Sequence, residues 1–394
     1  MKRGLRMLAA WLALLALGGC AAGEGPAKAA GSAVELFAVN VGKGDALLLR
    51  AGDYACLIDA GKAWAMGRVR SAMARMGVER LDAVFVTHTD DDHTGGLDWL
   101  AASDIPVGAW YASAMYTGVK EKKHPVAQAA AARGQAVQWL RRGDAVPMGD
   151  SGATLEVLAP DSLFEDEDDN NSLVMMLESP AGRMLLAGDM ELPEEAELLS
   201  QGDDLGCAVL KVANHGDDDT TSAAFAKAAS AQLAVISTDS QEKPGTPDPG
   251  VVSRLQAAGS QVIVTEDSGL GLAVTLSGGS AAWEAADVGA APVSGLAIAE
   301  VDPEDDRITL ANSSGEELSL EGFYLHSERG NELFAFPNGA ALAPGATLTV
   351  GTYSTEGGCD LLWEDKKVVH KKKTDMFRLY DPWGRVVDAM DNGL

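Results

Sequence analysis

The sequence predicts a two-part chain, an α/β layered domain over 34–288 followed by an all-β sandwich over 293–394. Apolar strand-like runs alternate with helical patterns as far as Gly289. After Val293-Ser294-Gly295 short strands follow one another with turn residues between them. The length of 394 residues also exceeds that of a typical single domain.

At the N-terminus, Lys2, Arg3 and Arg6 precede the apolar run Met7 to Leu17, and Leu17-Gly18-Gly19-Cys20 follows. A run of 11 residues is too short to span a bilayer, so it is predicted to be the core of a signal peptide over 1–19. Leu17 to Cys20 resembles a bacterial lipobox. The expected mature chain begins at a lipidated Cys20, is anchored to the membrane by that lipid, and lies outside the cytoplasm. Residues 20–33, rich in Ala and Gly with Pro26, form the tether.

The α/β part opens on Val39-Asn40-Val41-Gly42-Lys43-Gly44-Asp45 and the apolar Ala46 to Leu49, a strand-turn-strand pattern, and Cys56-Leu57-Ile58-Asp59-Ala60-Gly61 is a further strand and turn. Val69, Met73 and Met76 recur at one helical face, with Gly77 placed to cap its C-terminus. Leu81, Ala83, Val84, Phe85 and Val86 then read as a buried strand.

Directly after that strand, Thr87-His88-Thr89-Asp90-Asp91-Asp92-His93-Thr94-Gly95-Gly96 crowds two imidazoles and three carboxylates into six consecutive positions, 88–93. Such a cluster suits a metal, and the C-terminal end of a strand is where α/β sheets place their sites. An EF-hand loop would need a Gly at its sixth position and a distant Glu, whereas His93 and Thr94 intervene here. A solvated acidic loop is the bland reading, and His-x-Gly-Gly after a buried strand argues against it.

These residues resemble the metal motif of the metallo-β-lactamase superfamily, His-x-His-x-Asp-His, with Asp90 in place of the second His. The variant is similar to the hydrolase domain of ComEC-type competence proteins. The resemblance implies an αββα sandwich and a centre of two divalent ions, His88 and Asp90 on one, Asp92 and His93 on the other. It makes Asp189, in Met184-Leu185-Leu186-Ala187-Gly188-Asp189, the bridging carboxylate. It makes His215, in Ala208 to Gly216, a further ligand or substrate-facing base, with Asn214 where the family has another His. Asp92, Asp189 and His215 are the expected catalytic residues, and Asn170, Asn171 and Lys211 the expected polar groups on the substrate side. Asn170-Asn171-Ser172 stands where many relatives carry another His, and its amide and hydroxyl groups are expected to hold a metal-bound water or a substrate oxygen; Thr246-Pro247 stands where relatives often carry His-Pro, and that loss together with Asn214 would weaken one metal site or disable catalysis.

In the C-terminal part, Ile298 to Pro303, Leu310 to Ser313, Leu320 to Leu325, Phe334 to Pro337 and Leu342 to Gly345 together resemble the lamin-tail domain, an immunoglobulin-like module. This implies targeting to a cell-surface partner or association with substrate. His326 and His370 are expected to be surface or packing residues.

Two divalent ions about 3.5–4 Å apart lower the pKa of a water and clamp the oxygens of a phosphoester, with no Ser or Cys nucleophile required. The expected reaction is phosphoester hydrolysis by a phosphodiesterase or nuclease. Oxygen-rich ligation leans towards manganese, while zinc accepts the same mixture. The chain carries a net charge of −27, and loss of Lys2, Arg3 and Arg6 with the leader takes it to −30. A body this acidic lacks the basic groove that long nucleic acid requires, which favours a small phosphoester or a short or single-stranded nucleic acid. The acid runs Glu165 to Asp169 and Asp217 to Asp219 read as solvated loops, and the basic run Lys366 to Lys373 as the guard of an exposed edge strand. Cys56, Cys207 and Cys359 form no disulfide framework, and Cys56 and Cys207 read as small buried apolar residues. Two other functions stay open: a degenerate binding module of the same fold, and a surface protein whose lamin-tail domain carries the function. Cys20→Ser should release the protein from membranes, because only the thiol accepts the lipid thioether; unchanged detergent partitioning of this variant would refute the anchor.

Overall fold

The computed structural model describes residues 33–165, 168–289 and 291–394, so the leader and Cys20 lie outside the described residues. Six strands build most of a first sheet: β1 (Val34–Val39), β2 (Leu47–Ala51), β3 (Tyr54–Ile58), β4 (Leu81–Val86), β5 (Val107–Ser113) and β6 (Val137–Leu140). Seven more form a second: β7 (Ala145–Pro147), β8 (Thr154–Ala159), β9 (Val174–Ser179), β10 (Gly182–Leu186), β11 (Val209–Lys211), β12 (Leu233–Ile236) and β13 (Gln261–Val264). The chain then returns to the first sheet through β14 (Gly271–Ser277) and β15 (Ser280–Ala286), with β14 pairing antiparallel to β1.

Alternation within these strands produces the layers. In β4, Ala83 and Phe85 point between the sheets, where they meet Leu155, Met175, Leu177 and Met184. Val84 and Val86 point the other way, under α1 (Met66–Met76), α3 (Leu97–Ala102) and α4 (Pro125–Ala132). The outer face of the second sheet is covered by α5 (Leu192–Gln201), α6 (Ala223–Ala229) and α7 (Pro249–Ala257), which bury Leu198, Phe225, Val251 and Leu255 against Leu185 and Leu210. A strand buried on both faces has no polar side, which is why β4 reads as an unbroken apolar run. The result is an αββα sandwich. In α1, Val69 and Met73 are buried and Gly77 closes the helix at φ 65°.

The C-terminal part is all β. One sheet contains β16 (Leu296–Asp302), β17 (Arg307–Asn312), β22 (Thr347–Gly351) and β23 (Leu361–Leu362). The facing one contains β19 (Tyr324–Ser327), β20 (Glu332–Ala335), β24 (Met376–Tyr380) and β25 (Val386–Asp391). The short pair β18 (Leu318–Ser319) and β21 (Ala341–Leu342) completes the strands, and the two larger sheets close over Ile308, Leu310, Leu325 and Phe377. Three expectations need correction here. Lys366 to Lys373 lies in the loop between β23 and β24, because Asp306 takes the Val368 and Val369 amides and leaves no ladder to extend. Asp168 and Asp169, expected in solvent, point inward, as described below. Cys207, expected to be buried, is half-buried, because it lies in the segment that precedes β11.

The two parts dock through the start of α1. Tyr324 Oη donates to the Trp64 carbonyl at 2.6 Å, Arg68 Nε donates to the Gly384 carbonyl at 3.1 Å, and Trp64 stacks on Tyr380 with centroids 5.7 Å apart. Gly67 permits this approach, since a Cβ there would stand 2.7 Å from the Gly384 backbone nitrogen. Gly67→Val should therefore force the two parts apart and split thermal unfolding into two transitions; one cooperative transition at the wild-type temperature would show that the contact carries no coupling.

Candidate metal centre

The rims of both sheets converge at the C-terminal ends of their parallel strands. The loop after β4 carries His88 to His93 and contains the one-turn helix α2 (Asp91–Thr94), with Asp90 as its N-cap. Asp189 follows β10, His215 follows β11, and Asp59 follows β3. The Leu173 amide donates to the Thr87 carbonyl at 3.1 Å and ties the two rims together. Gly44 lets the β1–β2 turn lie on the ligand loop: a Cβ there would fall 2.5 Å from the Asp92 carbonyl, and Asp45 N donates to that same oxygen at 3.1 Å.

Two groups of side chains face each other across this rim. One joins Asp45, His93, Asp189 and His215, all buried, and the other joins His88, Asp90 and Asp169. In the first, His93 Nε2 and His215 Nε2 stand 3.2 Å apart and lie 3.2 and 3.0 Å from Asp189 Oδ2. The same Asp189 oxygen is 3.9 Å from His88 Nε2, between the groups, and Asp169 Oδ1 is 3.7 Å from that nitrogen. Asp92 stands at the border of the first group, Oδ2 3.5 Å from His215 Nε2, and is held there by Lys43 at 2.9 Å.

Surrounding hydrogen bonds fix which ring nitrogen faces inward. His93 Nδ1 donates to Asp59 Oδ2 at 2.8 Å, and His215 Nδ1 donates to the Ser237 carbonyl at 2.8 Å. Thr87 Oγ1 gives its hydrogen to Asp59 Oδ2, so His88 Nδ1 donates to Thr87 Oγ1 at 3.0 Å. Each imidazole thus spends its Nδ1–H on the protein and turns a bare Nε2 to the centre. His88 Nε2, Asp45 Oδ1 and Asp189 Oδ1 are buried with no hydrogen-bond partner among the described residues. Lone pairs aimed at one another at such separations call for a cation. Donor atoms around a tetrahedral zinc ion with bonds of about 2.0–2.1 Å lie about 3.3 Å apart, close to the spacing found between His93, His215 and Asp189. The residues present therefore fit divalent metal.

The electrostatics agree. Burial resists ionisation of Asp189, yet His215 and His93 hold its carboxyl well below the usual range. Burial also opposes charge on His93, but Asp189 and Asp59 outweigh it and lift the imidazole well above its ordinary value, so the site attracts positive charge at Nε2, where a proton and a metal ion compete for the same lone pair. For Asp92, burial is overcome by His93 and His215, helped by Lys43, and the pKa falls to about 2. Burial pushes Asp169 up to about 6 despite the opposing pull of His88.

Backbone strain accompanies the site. Asn214, His215 and Gly216 all have positive φ, at 38°, 53° and 76°. Non-glycine residues held in that region cost on the order of 1–3 kcal/mol each and cluster at functional sites. The turn it makes aims His215 at Asp189.

Several expected residues point elsewhere. Asn170 donates to Glu191 at 2.7 Å and accepts from the Glu194 amide, and Asn171 bonds both backbone groups of Phe164, so these buried amides brace loops instead of facing a substrate. Lys211 is fully buried, paired with Asp45 at 2.7 Å and bonded to the Val212 carbonyl. The Thr246 hydroxyl bonds that of Thr238 at 2.8 Å. Sequence reasoning missed Asp45, Asp59 and Asp169 as site residues. Asp168 holds the last of these in place, accepting from the Thr89 and Thr117 amides at 3.0 and 2.9 Å. Beside Asp92 the centre opens into a cleft of about 800 Å³ between the two parts of the chain.

Residues 39–240 match the family described as the metallo-beta-lactamase superfamily, and residues 289–393 match the lamin tail domain. ComE operon protein 3 of Bacillus subtilis is 28% identical over 193 residues, 49% of this chain and 24% of that protein. Competence protein ComA of Neisseria gonorrhoeae is 27% identical over 234 residues, 58% of this chain and 30% of that protein. The chain thus spans less than a third of the length of these curated relatives. Among solved structures, the metallo-beta-lactamase fold protein YhfI from Bacillus subtilis aligns at a TM-score of 0.40 and 13% identity, covering 62% of this chain and 99% of that one. Asp59→Asn should lower affinity for zinc or manganese by about 10- to 100-fold, the usual effect of removing a carboxylate that orients a ligand histidine. Titration calorimetry checks this, and unchanged affinity would show that Thr87 alone fixes the imidazoles.

Proposed function

Because the chain belongs to the metallo-β-lactamase superfamily and carries a C-terminal lamin tail domain, we propose that it is a two-metal hydrolase acting on phosphoester bonds. The observation that carries this reading is the convergence of His93 Nε2 and His215 Nε2 on Asp189 Oδ2, with the His88, Asp90 and Asp169 group on its far side. Asp45, His93, Asp189 and His215 would hold one ion, with Asp92 beside them. His88, Asp90 and Asp169 would hold the other, and Asp189 would touch both. Ions there supply the positive charge that acidifies a water and offsets charge gathering on a phosphoryl group. The oxygen-rich second set suits manganese, and the two-histidine set suits manganese or zinc.

The chain's own residues would do the rest. Asp59 and the Ser237 carbonyl keep the ring nitrogens of His93 and His215 in their inward state. Asp92, ionised well below neutral pH, keeps its negative charge beside the ligands on the open side, and Lys43 at 2.9 Å steadies it. Lys211 neutralises Asp45 beneath the floor.

Nucleic acid is among the substrates to test, and the charge of −27 favours short or single-stranded pieces. Anchoring outside the cytoplasm through Cys20 belongs to the same proposal. Among the described residues no helix is long and apolar enough to cross a membrane.

Asp189→Asn replaces a charged bridge with a neutral amide, and at saturating manganese the rate on a phosphodiester should fall at least about 100-fold, the scale on which lost electrostatic stabilisation acts. Circular dichroism confirms that the variant is folded. Equal rates would exclude Asp189 from the centre. A wild-type protein inactive with manganese, zinc and magnesium would favour the degenerate binding module, in line with Asn214 and Thr246.

A further inference from the structure

The loop that follows β5 leans on the end of β6, where the Ala114 amide donates to the Leu140 carbonyl at 2.8 Å. That contact brings three rings together. Tyr116 lies against Trp139 with centroids 5.2 Å and planes 32° apart, and His124 meets both edge-on, at 4.8 and 5.1 Å. Burial lowers the pKa of His124 to about 4, so at neutral pH it is an uncharged ring that props the other two. Tyr116 and Trp139 are only half-buried, and neither the phenol hydroxyl nor the indole N–H has a hydrogen-bond partner among the described residues.

The same loop carries Lys120, Lys122 and Lys123, all exposed and none ion-paired among the described residues. One carboxylate, Glu121, stands among them. In a chain with 58 acidic and 31 basic residues, a local excess of this sign is the exception. The loop is also tied to the metal centre: Asp168 Oδ1 accepts from the Thr117 amide at 2.9 Å, its Oδ2 accepts from the Thr89 amide at 3.0 Å, and the next residue, Asp169, stands 3.7 Å from His88 Nε2.

We propose that Tyr116 and Trp139, with Lys120, Lys122 and Lys123, form a nucleotide subsite beside the His88, Asp90 and Asp169 half of the centre: the rings take a base next to the scissile phosphoester, and the lysines take phosphates further along the strand. Aromatic faces joined to positive charge hold single strands without reading their sequence, because every base has a face to stack. A duplex hides those faces in its own stack, so the subsite selects unpaired ends. Three lysines neutralise few phosphates, which fits a short strand. The inference rests on the phosphodiesterase reading above and assigns residues to its substrate.

The test follows, by anisotropy at saturating manganese, the binding of fluorescein-labelled octathymidylate whose phosphorothioate links resist cleavage. Wild type is compared with Tyr116→Leu, with a loop variant carrying Lys120→Gln, Lys122→Gln and Lys123→Gln, and with a control carrying Lys367→Gln, Lys372→Gln and Lys373→Gln. The control removes the same charge from exposed lysines of the lamin tail domain. Tyr116→Leu should weaken binding about 5- to 150-fold, the contribution of one stacked base, and should leave binding of an abasic octamer with the same backbone unchanged. The loop variant should flatten the slope of log K against log salt by about 2, at roughly 0.7 for each phosphate contact on a single strand, and the control should keep the wild-type slope. Equal losses on both probes in Tyr116→Leu, equal slopes in the two lysine variants, or no binding by the wild type would each overturn the subsite. A wild type that binds in this way but cleaves no phosphodiester supports the subsite and counts against the hydrolase reading; cleavage by a wild type whose variants bind as it does has the opposite meaning.

Discussion

Everything at the rim depends on one constraint: three imidazoles must keep their Nδ1–H bonds to the protein so that their Nε2 atoms can face Asp189. Asp59 secures two of the three, His93 directly and His88 through the Thr87 hydroxyl. Its carboxylate also accepts the Thr87 amide at 2.8 Å, so the ligand loop and the ligand rings are set by a single group. The cost of that arrangement appears around it, as the left-handed run at Asn214 and His215 and as the close contact of Gly44 with the ligand loop. Buried negative charge concentrated in so small a volume is stable only against positive charge, and Lys211 under Asp45 supplies part of it.

The layered fold and the ligand loop were legible in the sequence for the same reason: both are local. β4 announces itself because a strand covered on both faces has only apolar residues, and its loop because the ligands are consecutive. The helix over Val69 and Met73 was readable from spacing and from Gly77. Asp45, Asp59 and Asp169 were not, because each comes from a separate segment and only sheet pairing brings it to the rim. Asp169 was hidden further by an acidic neighbourhood that resembles a solvated loop, and its inward direction depends on Asp168 capturing two distant amides.

Orientation was the second thing the sequence withheld. The family resemblance put Lys211, Asn170 and Asn171 near the centre, and near it they are. Their polar atoms point to Asp45, Glu191 and Phe164 instead of outward. A lysine at the end of a short buried strand can be accommodated only if a carboxylate waits beneath it, and that partner lies in the opening turn of the domain, far away in sequence. The lysine-rich loop of the lamin tail domain was misread for a related reason: Val368 and Val369 look like strand residues, but Asp306 binds their amides before a neighbouring strand can.

The return of β14 to the first sheet sets an order on how the chain acquires its structure. Val34 pairs with Ala51 on one side and with Leu276 on the other, so one flank of β1 stays unsatisfied until the whole second sheet has been made. Contacts this distant in sequence slow folding, because the entropy of closing the loop is lost before the ladder forms. An emerging chain thus carries an open, apolar β edge from the making of β1 until β14 arrives to close it.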